Sequence, residues 1–164
     1  MSTIQPSEYH EIQDWIIGTT QYAGETTIEV QPSAILQVCE ILKTKFGFTY
    51  LADITAIDYY TDDNRFGVAY NIVNIANKRR LRILARLEEK EPVIQSVVSV
   101  WQAANWFERE AWDMMGIRFH GHPDPRRIYM PEDFEYFPLR KEFPLIGIPG
   151  SIQTPTPDGP KEYR

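Results

Sequence analysis

The sequence predicts an α+β fold: N-terminal helices packed on a mostly antiparallel or mixed sheet, followed by an extended Pro-rich C-terminal segment. Three observations predict it. Ile35, Val38, Cys39, Leu42 and Phe46 recur at helical spacing. Leu81, Ile83, Ala85 and Leu87 alternate with Arg80, Arg82, Leu84 and Arg86, the period of two of a strand with one buried face. Nine of the twelve prolines lie from Pro123 onward, where a regular ladder of N–H donors cannot run.

Taken in order, Ser7 can cap a short helix in which Ile12, Trp15 and Ile16 share a face, with Gly18 placed to end it. A strand is expected near Thr26–Val30. Pro32 suits the first turn of a second helix, where its missing N–H is not needed, and Gly47 supplies the stop. Cys39 on that helix packs as a small hydrophobe. Tyr50–Tyr60, Phe66–Ala76 and Arg80–Leu87 read as a meander of three strands joined by polar turns. After an apolar stretch at Val97–Trp101 the chain turns helical from Asn105. Phe107, Ala111 and Met114 form one stripe of that helix, Trp112 and Met115 lie beside it, and Gly116 ends it.

Composition excludes several classes. With 164 residues there is room for one domain. A net charge of -6 speaks against a general nucleic-acid binder. One cysteine, Cys39, leaves no intramolecular disulfide and no zinc or iron–sulfur site built from several thiolates. The N-terminal residues lack the basic and apolar regions of a secretory signal, and no apolar run approaches the roughly 18 residues of a membrane span. Charge is uneven. Residues 65–90 carry seven basic and two acidic side chains, between acidic flanks. This block is either the solvated face of a strand or a docking surface for an acidic neighbour.

The search for chemistry is mostly negative. No GxGxxG, Walker A or GxSxG pattern occurs. His120 and His122 could share a strand face as metal ligands, with Glu108, Glu110, Asp113 and Asp124 nearby in sequence, but a turn with both imidazoles hydrogen-bonded is the plainer reading. Charges of alternating sign run from Glu108 to Glu142. They are either active-site groups or Arg–carboxylate clamps that fix a segment without secondary structure, and the clamps are favoured because such a segment needs side-chain ties. Tyr129, Phe134, Tyr136, Phe137 and Phe143 give the same segment enough apolar surface that it must lie on something. From the residues alone, the chain is a compact α+β domain with an aromatic, charge-tied strap made for a protein partner.

The block from Trp106 to Leu145 closely resembles the signature of the C-type subunit of the proton-pumping NADH:quinone oxidoreductase, respiratory complex I, the mitochondrial thirty-kilodalton subunit. The family pattern is ERExxDMxGIxFxGHPDxRRIxxPEDxxxxPLRKxxP. It is met by Glu108, Arg109, Glu110, Asp113, Gly116, His122, Pro123, Asp124, Arg126, Arg127, Pro131, Glu132, Asp133, Pro138, Leu139, Arg140 and Lys141. Pro125, where many relatives have leucine, and Tyr129, at a usually aliphatic position, depart from it.

The resemblance implies a structural and assembly subunit of the hydrophilic arm, without catalytic, cofactor-binding or metal-binding residues of its own. FMN, the iron–sulfur clusters, NADH and quinone would belong to the assembled complex. The implied partners are chiefly its D-type and B-type subunits, and the implied location is peripheral, on the cytoplasmic side of the cell inner membrane. Related membrane hydrogenases and F420H2- or ferredoxin-dependent complexes use homologous subunits. A stand-alone metal-dependent hydrolase using His120 and His122, and a free-standing adaptor, are the readings of another class. Three parts are expected: a compact domain over 1–120, an ordered strap over 121–150 and a flexible or partner-ordered tail over 151–164. Glu108, Arg109 and Asp113 should tie to the strap through Arg126, Arg127, Arg140 or Lys141, over an apolar bed of Trp106, Trp112, Phe119 and Phe137.

Overall fold

The structure is a computed structural model and describes residues 6–60, 64–144 and 147. These residues form seven strands and two α-helices: β1 (Ile16–Tyr22), β2 (Glu25–Val30), α1 (Ile35–Thr44), β3 (Tyr50–Asp58), β4 (Phe66–Asn74), β5 (Arg79–Leu87), β6 (Val93–Gln95), α2 (Ala104–Met115) and β7 (Arg118–His120). The main sheet has the order β1-β2-β5-β4-β3, and β6 and β7 form a separate parallel pair. Only β2 and β5 pair in parallel within the main sheet, so it is mixed. The α+β class therefore holds.

The N-terminal expectation needs correction. Pro6–Trp15 is a kinked 3-10 segment, and Ile16 and Gly18 belong to β1 rather than to a helix. The reason lies a few residues on. Ala23 and Gly24 both have positive φ (50° and 81°), the backbone of a two-residue hairpin turn, and this pairs β1 with β2. Gly18 sits at the register shift of that hairpin. The proposed Ser7 cap concerns a side chain outside those described.

The other elements follow their patterns. Pro32 opens a short 3-10 turn that leads into α1, which buries Ile35, Val38, Cys39 and Leu42. On β5 the buried set is Leu81, Ile83, Ala85 and Leu87, as alternation requires. These side chains meet Val68, Tyr70 and Ile72 of β4 and Met114 and Met115 of α2 in one core, and α2 packs along β3. Trp101 joins the layers by donating its indole N–H to the Phe48 carbonyl at 3.2 Å.

The other face of β5 carries the basic block, and part of it is engaged by the chain itself. Arg82 pairs with Glu25 at 2.8 Å and with the Asn71 side chain at 3.0 Å. Arg86 lies 3.6 Å over the Tyr59 ring and donates to the Asn64 carbonyl. Arg80 is exposed. Beyond β7, residues 121–144 form turns without helix or strand, and the segment 151–164 lies outside the described residues.

Tyr70 carries a buried phenol oxygen with no hydrogen-bond partner among the described residues. A buried polar group left unpaired costs about 1–3 kcal/mol. Tyr70→Phe should therefore raise stability by about 1 kcal/mol, seen as a thermal midpoint higher by about 2–4 °C. A lower midpoint would mean that the hydroxyl is satisfied in solution.

Candidate functional site

The end of α2 is where the strap attaches. A helix leaves its last carbonyls without intrahelical partners. Gly116 stops α2 in the left-handed conformation (φ 74°, ψ 23°) and donates its N–H to the Trp112 carbonyl at 2.8 Å. The strap then supplies three more donors. Leu139 N–H reaches the Met114 carbonyl at 3.1 Å, Arg140 Nε the Met115 carbonyl at 2.8 Å, and Arg127 Nη1 the Asp113 carbonyl at 3.2 Å. Two of these donors are cationic, and they sit at the negative end of the helix dipole. A Cβ at Gly116 would lie 2.6 Å from both the Phe137 ring and Arg140 Nη2, so glycine is required for close approach as well as for φ.

Asp113 lies in this last turn and is buried. Its Oδ2 accepts the backbone N–H groups of Ile128, Tyr129 and Met130 at 2.6–3.0 Å, and Oδ1 accepts Arg127 Nη1 at 2.7 Å. Burial pushes this carboxyl up, but the N–H groups of Met130 and Tyr129, the Arg127 guanidinium and the Ile128 N–H together hold it below the usual carboxylate range. Arg127 also donates to the Tyr136 carbonyl and lies 5.3 Å from the Phe137 ring centre. Trp112 packs edge-on against Phe137.

A second anchor sits at the loop end of the β3–β4 hairpin, where β3 passes into β4. Asp58 and Arg65 form a buried two-pronged pair, both contacts 2.8 Å. The spare capacity of each holds the strap: Asp58 Oδ2 accepts the Lys141 N–H at 2.9 Å, and Arg65 binds Glu142 as well as Glu89. Chiefly through the Arg65 guanidinium, and against burial, the Asp58 carboxyl is lowered to about 2. Arg140 lies between the anchors, over the Phe137 and Phe66 rings.

The start of the strap meets α2 through Arg109, which donates to the Arg126 and Arg127 carbonyls at 2.9 and 3.2 Å and lies 3.7 Å from Asp124. Asp124 in turn pairs with Arg126, the largest cause of its carboxyl being lowered to about 2. Glu108 departs from expectation, since it pairs with no strap arginine. Its Oε1 accepts the Val97 N–H at 2.7 Å and its Oε2 is buried without a hydrogen-bond partner. Burial, opposed by Ser96 and the Val97 N–H, raises this carboxyl to about 7. A cleft of about 590 Å³, walled by Val93, Trp112 and Phe119, opens beside Glu108 and His122.

The remaining sequence-selected residues divide clearly. Trp106 is 62% exposed beneath Arg109 and so is not part of a bed under the strap, whereas Trp112 and Phe137 do pack together and Phe119 packs on the core. Lys141 contributes its backbone N–H to the second anchor. Glu110, Pro123, Pro131, Glu132 and Asp133 are exposed, and Pro138 is half-buried. His120 is exposed, while both ring nitrogens of His122 are engaged by backbone groups, and no group of three His, Cys, Asp or Glu able to hold a metal occurs among the described residues. The metal-hydrolase reading thus finds no ligand set in the described residues. Asp58 and Arg65 are not singled out by the sequence. Their signal is an acid closing an alternating strand and a base opening its return strand.

Residues 28–148 match the family described as respiratory-chain NADH dehydrogenase, 30 kDa subunit. The chain is 48% identical to the C-type subunit of the NADH-quinone oxidoreductase of Geotalea uraniireducens, over 80% of each chain. It is 36% identical to the mitochondrial NADH-ubiquinone oxidoreductase 30.4 kDa subunit of Neurospora crassa, over 84% of this chain and 52% of that one. Among solved structures, a trypsin-resistant fragment of Nqo5 superposes with a TM-score of 0.65 at 28% identity, over 72% of this chain and 95% of the fragment. A chain of the archaeal membrane-bound sulfane sulfur reductase shares the fold, with a TM-score of 0.74 at 20% identity over 85% of this chain and 84% of that one.

Removing the Asp113 carboxylate leaves Arg127 and three N–H groups facing a buried gap. Asp113→Ala should cost about 3–5 kcal/mol in urea unfolding; a loss under about 1 kcal/mol would show that the strap is held elsewhere. Asp58 has its folded pKa below its unfolded one, so its contribution is present above about pH 4 and is lost as pH falls through about 2. Asp58→Asn should flatten the stability profile in that window, and an unchanged slope would mean that the Asp58–Arg65 pair does not stabilise the fold.

Proposed function

We infer the role of this chain from one premise: it belongs to the family of respiratory-chain NADH dehydrogenase 30 kDa subunits. It is a subunit of the hydrophilic arm of an NADH-quinone oxidoreductase, a respiratory-chain complex. Within that complex its role is structural: it orders a charged and aromatic segment against which neighbouring subunits assemble, while NADH oxidation, electron transfer and quinone reduction take place on other chains. In this reading FMN, the iron–sulfur clusters and the quinone site lie outside the chain, and its neighbours are chiefly the D-type and B-type subunits. It is peripheral on the cytoplasmic side of the inner membrane and takes part in a translocating enzyme only as one of its subunits. The compact part covers 1–120, the strap 121–150 and a tail 151–164.

The observation that carries this reading is the use made of the signature residues. Arg109, Asp113, Arg127 and Arg140 bind backbone or one another across the α2–strap junction. Groups engaged in that way position a segment rather than transform a substrate. The exposed Tyr129, Tyr136 and Leu139 leave the outer side of the strap with the mixed aromatic and apolar character of protein contacts. Peripheral attachment is supported by the described residues, in which no helix is long and apolar enough to cross a membrane. The electron donor is taken to be NADH because relatives named for NADH reach 48% identity, whereas the likeness to the sulfur-reducing complex is one of fold.

In blue-native electrophoresis of source membranes, the chain should migrate in a large NADH-oxidising band. Arg127→Ala should deplete that band several-fold while the assembled remainder keeps its quinone reduction rate per complex. Full assembly with loss of quinone reduction alone would contradict the structural role.

A further inference from the structure

The Glu108–His122 contact is not itself one of the strap ties described above, and it is chemically incomplete. His122 Nδ1 lies 3.0 Å from the Asp124 N–H, which can only donate, so Nδ1 is the acceptor. The ring proton of neutral His122 is then on Nε2, which donates to the Asn105 carbonyl at 3.1 Å. Glu108 Oε2, buried and without a hydrogen bond, lies 3.9 Å from the same Nε2. One N–H thus faces two acceptors and satisfies one of them.

We propose that Glu108 and His122 form a proton-controlled latch, in which the single His122 Nε2–H serves the Asn105 carbonyl when Glu108 is protonated and the Glu108 carboxylate when it is ionised. The structure has the first arrangement. Losing the proton from Glu108 leaves a buried anion whose Oε2 has no hydrogen bond; the His122 Nε2–H faces it from 3.9 Å, and hydrogen-bond range is reached by a ring shift of about 1 Å. The ring is held at its other nitrogen by the Asp124 N–H, so the shift moves the turn that opens the strap. Asp124 also faces Arg109 and pairs with Arg126, which places those ties under the same control.

Besides His122, ionisable and polar groups from several elements face Glu108. Cys39 on α1 and Tyr70 on β4 both interact with it, but burial pushes the thiol and the phenol up, out of the neutral range. From the loop before α2, Ser96 and the Val97 N–H favour its ionised form without supplying charge. Arg109, its neighbour on α2, is engaged by strap carbonyls, and Glu91, Arg118 and His120 line the exposed side of the cleft. The carboxyl is raised to about 7 by burial, so the latch changes state across neutral pH.

The test is an NMR titration of the full chain from pH 5 to 9, following the Glu108 side-chain carbon, the His122 ring nitrogens and the Asp124 amide. Wild-type protein should show the Glu108 signal titrating near pH 7. The Asp124 amide should move with the same midpoint. In Glu108→Gln the Asp124 movement should disappear. A Glu108 midpoint in the ordinary range of about 4–5, a static Asp124 amide in wild type, or an equal Asp124 shift in Glu108→Gln would each overturn the proposal. The wild-type readings stand without the variant, and because they are made on the isolated chain, the result is separate from the assembly test of its role as a subunit.

Discussion

A carboxylate in the last turn of a helix faces the negative end of the helix dipole, and burial adds a desolvation cost. Asp113 occupies that position because residues 127–130 aim one guanidinium and three backbone N–H groups at it. The dependence is mutual. Backbone donors of a segment without helix or strand need acceptors, and the acid on α2 provides one for three of them. The left-handed turn at Gly116 and the ring of Phe137 beside it follow from the same close approach. Remove the acid, and both the helix end and the strap lose their partner.

The second anchor works by the same logic with different elements. Asp58 and Arg65 neutralise each other at the end of a hairpin, and each keeps capacity for the strap, the acid for the Lys141 N–H and the base for Glu142. Between these points Leu139 and Arg140 cap α2. Residues 127–142 are therefore fixed along a defined path by groups drawn from α2, β3 and the residue just before β4, without any ladder of their own. The carboxylates at the anchors are held ionised, whereas Glu108, one turn before Asp113, is pushed toward its neutral form by burial without a cation. A single helix thus carries two buried acids of opposite proton affinity. The difference is made by what the rest of the chain turns toward each.

Much of this is legible in the sequence. Alternation in Arg80–Leu87 and helical spacing in Ile35–Leu42 report burial directly, and Gly116 is readable as a helix stop. The link between α2 and Arg127 is readable as well, because opposite charges near a proline-punctuated segment need a use. What the sequence hides depends on non-local pairing. Ile12, Trp15 and Ile16 stand at helical spacing, yet Ile16–Tyr22 becomes a strand once Ala23 and Gly24 fold it onto β2. Nothing local to Thr26–Val30 says that its other neighbour is β5, in parallel. The expected Glu108 tie fails for a related reason: charge alternation says that a partner is wanted, but not that the loop at Val97 reaches it first. Asp58 and Arg65 give only a weak signal because their role appears only when residues 141–142 return to them.

For a subunit of a respiratory-chain complex, these constraints explain why so many charged residues sit on a chain whose proposed role is structural. They set the path of the strap, and its exposed aromatic side is what remains for neighbours. Asp113 fixes this path from within the chain. Hydrogen exchange of the Ile128, Tyr129 and Met130 amides in the full chain tests it most directly. These three amides should be protected as well as those of α2; exchange at the rate of an open loop would mean that Asp113 does not hold the strap.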